Sequence, residues 1–341
     1  TRSLSKNTLK KLGSASQFYE HFGQEQMAIQ VETTLRPCLD SMIDEVMQKN
    51  SNILWENLPI TLKNRFYAQV HKKMPAVITH LIEEFGDNIN WLVDLEEVTL
   101  DAVKSDNTII ERIFMECSER ELRYSISAGF VFGALIGLIG LACWISFGQW
   151  AVIPLTGLAA GLLSNWLSLR LLVRPLQPAK TLIPQFRGRY LRRQNEIAEM
   201  FASIISKEVV TPYHFMRILF KGSKSKQTFL TIRRHAGLLI ENISIRAFTQ
   251  LTLGPSGYVN IKQSFAEKIA DLFVEPFADP HFNDSRARTL APVLAAKMKN
   301  LQSQDFQKIL LPVANDKFKL LLMNATIGLI AGFVQFHFMF R

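Results

Sequence analysis

Residues 126–147 read ISAGFVFGALIGLIGLACWISF, 22 residues without one formal charge. As a helix this run is roughly 33 Å long, enough to cover a hydrocarbon core of about 30 Å. Whether it crosses a membrane or fills a protein core decides the fold. A core helix can be apolar all round, but soluble helices rarely run so far without a charge, so the run is read as a span. Two further runs of spanning length lie outward from it, Trp150–Val173 and Leu320–Phe340, the last reading LLLMNATIGLIAGFVQFHFMF. The first two sit mid-chain and the third near the C-terminus, so none has the place of a cleavable leader.

The composition agrees with this reading. Apolar residues make up 48% of the 341, high for a soluble chain. Each run also carries small residues at helical spacing: Gly129, Gly133, Gly137 and Gly140 on the first, Gly157, Gly161, Ser164 and Ser168 on the second, Gly328 and Gly332 on the third. Lipid supplies little hydrophobic force between helices, so close backbone approach and side-chain hydrogen bonds must hold them together. The stripes therefore predict a packed three-helix unit. Asn165 beside the second stripe is expected to bond across to a neighbouring helix, with Asn324 and Gln335 as further polar groups in the third run.

Flanking charge orients the runs. Arg120 and Arg123 precede the first, while Arg170, Arg174, Arg187, Arg189, Arg192 and Arg193 lie in or after the second, and the connector around Gly148 and Gln149 has no charge. By the positive-inside rule the first two runs form a hairpin with both ends in the cytoplasm, and Lys317 and Lys319 start the third from the same side. Pro175 and Pro178 stop the second helix.

Outside these runs the period is also helical. Leu62, Phe66 and Val70, and then Val77, Leu81 and Phe85, recur at helical spacing, with a step of seven residues (two turns) from Val70 to Val77, bounded by Pro59 and broken at Pro75; Ile197, Phe201, Ile204 and Ile205 do likewise. Thr211 before Pro212 is a helix start. Gly254, Pro255, Ser256 and Gly257 mark a loop. The expected fold is all-α: an N-terminal helical cytoplasmic region (1–125), a transmembrane hairpin (126–174), a basic helical cytoplasmic domain (175–317) and a C-terminal span (318–341).

Catalytic chemistry finds little support. His71, His80, His214 and His235 show no ligand spacing, and Cys38, Cys117 and Cys143 are far apart. The pairs Glu83–Glu84 and Glu96–Glu97 read as solvated helix faces. KGSKSKQT at Lys221 lacks the GxxxxGK[ST] phosphate-loop spacing. No catalytic residue, metal or cofactor is therefore expected. One feature stands out: between Arg170 and Arg234 there are 14 Lys and Arg against Glu196, Glu199 and Glu208, a local +11 where the whole chain is +9. Next to a span, such charge meets anionic lipid at roughly 1 kcal/mol per basic residue. Arg174, Arg187, Arg189, Arg192, Arg193 and Lys221 are the candidate lipid-binding residues. No nucleic-acid reader motif accompanies them.

SNWLSLRLLVRPLQP (164–178), followed by RRQNEIAEMFASIISKEVVTP (192–212), resembles the signature of the YheB-like bacterial inner-membrane proteins, a domain-of-unknown-function family. Asn165 closing a glycine-rich span, Pro175 and Pro178 after an apolar stretch, Arg192 and Arg193 opening a helix, and Thr211 with Pro212 opening the next carry the resemblance, which runs from about Trp55 onward. Arg187 and Gly188 depart from the family's usual wording. The resemblance implies a multi-pass protein of the bacterial inner membrane with soluble domains in the cytoplasm. The expected role is a non-enzymatic scaffold or lipid-interacting protein in envelope maintenance, with anionic lipids, membrane proteins or further copies of itself as partners. The alternative is a subunit of an oligomeric transporter or channel.

Overall fold

The computed structural model describes residues 9, 11–148, 152–173, 193–240, 243–302, 305–306 and 317–339. Among them the chain is all-α, with two short 3-10 turns and no strand. The helices are α1 (Ala15–Phe22), α2 (Gln24–Leu35), α3 (Leu39–Glu56), α4 (Ile60–Leu92), α5 (Leu95–Ser105), α6 (Ile109–Phe147), α7 (Val152–Val173), α8 (Gln194–Glu208), α9 (Pro212–Lys221), α10 (Ser225–Ile240), α11 (Ile243–Leu272), α12 (Pro280–Lys299) and α13 (Lys317–Met339). They fall into two compact units, Thr1–Ile109 with Ala202–Leu294, and Ile110–Phe201 with Ala295–Arg341. The N-terminal region and much of the basic region, far apart in sequence, thus share the first unit.

In the first unit α4 is the spine, roughly 50 Å long for its 33 residues. Phe66, Val70, Met74, Val77, Ile78, Leu81, Ile82, Phe85 and Ile89 form its buried stripe, against which α1, α2 and α10 pack. Local chemistry sets the helix starts. Ser14 and Gln17 form a capping box at α1, Asp94 caps α5 by accepting from the Glu96 amide at 3.1 Å, and Thr211 caps α9 ahead of Pro212 by accepting from the His214 amide at 3.2 Å. Gly23 turns the chain between α1 and α2 at φ +74°, a conformation that favours glycine. Fully buried Tyr19 donates its hydroxyl to the Ile82 carbonyl at 2.9 Å, and burial pushes that phenol far above its ordinary value. Phe85, Phe220, Phe273 and Phe277 join in an aromatic cluster with ring centroids 5.4–6.4 Å apart.

Two sequence expectations are corrected. Pro59 does bound α4, but Pro75 does not break it. A proline inside a helix costs about 3 kcal/mol. Val70 and Met74 before it and Val77, Ile78 and Leu81 after it are all buried, at about 1.5–3 kcal/mol each, so one continuous helix wins. Similarly, Gly254–Gly257 forms no loop; α11 runs straight through it. Tyr258, Ile261, Phe265 and Ile269 beyond the motif are buried on a helix that packs on α10 and α3, and this outweighs the local breakers.

The second unit has a different surface. Among the described residues one helix is long and apolar enough to cross a membrane, Ile126–Phe147 within α6, and only 6% of its apolar window is buried. Gly148 ends α6 at φ +60°, its amide bonded to the Trp144 carbonyl at 2.8 Å. The other two apolar stretches among the described residues are shorter, Val152–Ser164 in α7 and Thr326–Phe338 in α13.

Candidate functional site

The candidate site is the glycine-bearing helix unit with its flanking charges. α7 and α13 lie against each other along their length, and the glycines set the distance. A Cβ built on Gly157 would strike the Gly328 carbonyl oxygen, and one on Gly328 would strike that of Gly157. At Gly332 it would lie 2.8 Å from Pro154 Cα, and from Gly328 it would come within 3.4 Å of Gly161 Cα. The structure therefore brings Gly157, Gly161, Gly328 and Gly332 together in one backbone seam. α6 meets α7 at Gly140, where an added Cβ would be 2.6 Å from Thr156 Cγ2. The expectation that the α6 stripe packs tightly is corrected for Gly133 and Gly137, where an added Cβ would meet nothing within 4 Å among the described residues. The stripe permits close approach along its whole length, but of Gly133, Gly137 and Gly140 only Gly140 is used for it. Gly129 lies on the same helix. Asn165 is on α7 and Asn324 on α13; their side chains lie outside the described residues.

Between α6, α7 and α13 is an open cavity of about 490 Å³, walled by Gly137, Trp144, Thr156, Gly157, Ser164 and Gln335 among others. Ser164 and Thr156 turn their hydroxyls back to their own helix, donating to the Ala160 and Ile153 carbonyls at 2.5 and 2.9 Å. What remains toward the cavity is glycine backbone, apolar side chains such as Leu141, Ile153 and Ile327, and the exposed Gln335.

Of the six basic candidates, Arg174, Arg187, Arg189 and Arg192 lie outside the described residues. Arg193 is only 20% exposed and donates Nε to Glu196 Oε2 at 2.7 Å, while Arg120 reaches the other oxygen at 3.3 Å. The Arg193 hydrogen bond holds Glu196 below the usual carboxylate range, with both arginine charges adding to it. Arg193 is thus committed to a carboxylate. Lys221, at the end of α9, is exposed. Nearby in the same unit as Arg193, the Gln194 amide donates to the Lys299 and Leu301 carbonyls at 3.2 and 3.0 Å, capping the end of α12, and Lys299 pairs with Glu199 at 2.5 Å.

Sequence reasoning missed a polar cluster in the first unit. Asp101 on α5 accepts from His214 at 2.9 Å and from Arg217 Nε at 3.3 Å, both on α9, and Arg217 also reaches Ser105 at 3.2 Å. The partners are 113 residues apart for the His214 pair, so no local pattern could have paired them. The cluster pins α9 to α5. Burial pushes His214 below its ordinary value, and the Asp101 carboxylate offsets this only in part. Unfolded, the imidazole titrates near about 6.5, so below that pH the unfolded chain binds more protons than the folded one. Stability from this group is complete above about 6.5 and falls as pH drops toward the depressed folded value. Thermal midpoints measured from pH 7.5 to 5.5 should fall more steeply for the wild type than for His214→Gln; parallel curves would remove this assignment.

Among the described residues no group of three His, Cys, Asp or Glu is placed to hold a metal ion. No protein-family model, curated protein or solved structure matches the chain.

Proposed function

We propose that the chain is a multi-pass protein of the bacterial inner membrane, of the YheB-like kind, in which α6 and α7 form a hairpin and α13 a third span. Its helical first unit stands in the cytoplasm as a non-enzymatic scaffold that engages anionic lipid in envelope maintenance. The observation that carries this reading is the exposure of α6: a core helix of a soluble protein would be covered, whereas Ile126, Phe130, Ile145 and Phe147 are each more than 70% exposed. Leu155, Trp166, Ile330 and Phe338 extend the apolar surface over α7 and α13, and a patch of this extent marks a lipid or partner surface. The glycine seam is the packing expected where lipid leaves backbone contact to do the work. The hairpin is supported by Glu196, whose carboxylate takes Arg120 from the N-terminal part of α6, ahead of its apolar run, and Arg193 from after α7, drawing both ends of the apolar pair to one side.

The experiment is cysteine accessibility in cells, in a chain freed of Cys38, Cys117 and Cys143. Gly148→Cys should label from outside with an impermeant maleimide, and Lys226→Cys only after the membrane is opened. Labelling of both from outside, or of neither, overturns the topology.

The cavity favours a second reading, a subunit of an oligomeric transporter or channel whose path runs along the glycine backbone and Gln335. Solute flux through proteoliposomes, lost on Gly137→Leu, would support it over the scaffold.

A further inference from the structure

A second cavity lies in the first unit. It is an open groove of about 460 Å³, within the roughly 300–1,000 Å³ typical of small-molecule sites. One wall is a face of α10, where Lys226, Phe229, Leu230 and Arg233 follow at i, i+3, i+4 and i+7. Phe220 forms the floor, held by rings of Phe273 at 5.4 Å and Phe85 at 6.2 Å. Gln263 of α11 closes the far side, its amide donated to Glu267 at 3.0 Å.

The charges on α10 are divided between two uses. Arg234 and His235 turn to Glu84 of α4 at 3.1 and 2.6 Å, so they fasten the helix. Lys226 and Arg233 make no hydrogen bond or ion pair with the described residues, and both are exposed at the groove. Between them Leu230 stands 61% exposed. Two uncompensated cations about 10 Å apart along the axis, with an aliphatic and an aromatic side chain between them, complement an anion that carries its own apolar body.

We propose that this groove binds an anionic phospholipid, its phosphate between Lys226 and Arg233 and the start of its acyl chains against Phe229, Leu230 and Phe220. A bare phosphate would satisfy the cations and leave Leu230 wet; an uncharged lipid would leave the cations unmet. The proposal rests on the membrane reading for its supply of lipid, but the groove itself is independent of the spans.

The test is titration of the full chain, in uncharged detergent, with phosphatidylglycerol or phosphatidylcholine, counting bound lipid by native mass spectrometry. Lipid held by the apolar helices is common to all variants, so the difference between variants reads the groove. Lys226→Gln with Arg233→Gln should weaken phosphatidylglycerol binding about 25-fold, roughly fivefold for each cation, and leave phosphatidylcholine unchanged. Lys226→Arg with Arg233→Lys should restore it. Leu230→Ser, at an exposed position that folding tolerates, should weaken it severalfold. Phosphatidylglycerol binding unaffected by the double substitution or by Leu230→Ser, or full displacement by millimolar inorganic phosphate, overturns the proposal. Either result with the Gly148 and Lys226 labelling pattern intact removes the groove and leaves the membrane reading standing.

Discussion

Phe273→Ala should destabilise the first unit by about 3–5 kcal/mol, the range for truncating a buried phenylalanine. Phe273 is fully buried and touches Phe85 of α4, Phe220 of α9 and Phe277, with ring centroids 6.1, 5.4 and 6.4 Å away. It follows α11, its amide still bonded to the Ile269 carbonyl at 2.9 Å. Removing the ring opens a cavity where several helices converge, and aromatic neighbours on separate helices cannot close it without shifting the helices themselves. Urea unfolding followed by circular dichroism should show the midpoint fall with the slope unchanged. Phe338→Ala, at a site 81% exposed, should change little in detergent. A loss below about 1 kcal/mol at Phe273 would mean that this cluster is not the centre of the unit.

Gly157→Leu should have the next largest effect. The new Cβ meets the Gly328 carbonyl oxygen, a backbone atom that no rotamer change can move. The helices must separate, and because the same seam includes Gly161, Gly328 and Gly332, separation loses contact along α7 and α13 together. Overpacking costs about 1–3 kcal/mol, occasionally more, and the length of the seam puts this case at the upper end. Gly328→Leu should behave the same. Gly133→Leu, with open space around it, should leave the thermal midpoint of the detergent-solubilised protein nearly unchanged, as should Ala142→Leu on exposed α6. Equal losses at Gly133 and Gly157 would show that the seam described here does not hold the helices.

The contrast between Gly133 and Gly157 shows where the sequence ceases to decide. Helical type was legible over most of the described residues, because a 3.6-residue period and a capping residue such as Thr211 act over near neighbours, and both are written in order along the chain. The apolar length of Ile126–Phe147 and the excess of charge between Arg170 and Arg234 were legible for the same reason. A glycine stripe states that a helix can be approached closely but not by which neighbour, so only the tertiary structure selected Gly157 with Gly328 and left Gly133 and Gly137 open. Pro75 and Gly254–Gly257 were misread because their local cost is visible in sequence while the burial that outweighs it is summed over helices from elsewhere in the chain. Asp101 with His214, and Phe220 beneath Lys226 and Arg233, depend on how α5, α9 and α10 pack. Local periodicity determined the elements; pairing at long range, which is set by buried area and by compensation of charge in three dimensions, determined which residues meet.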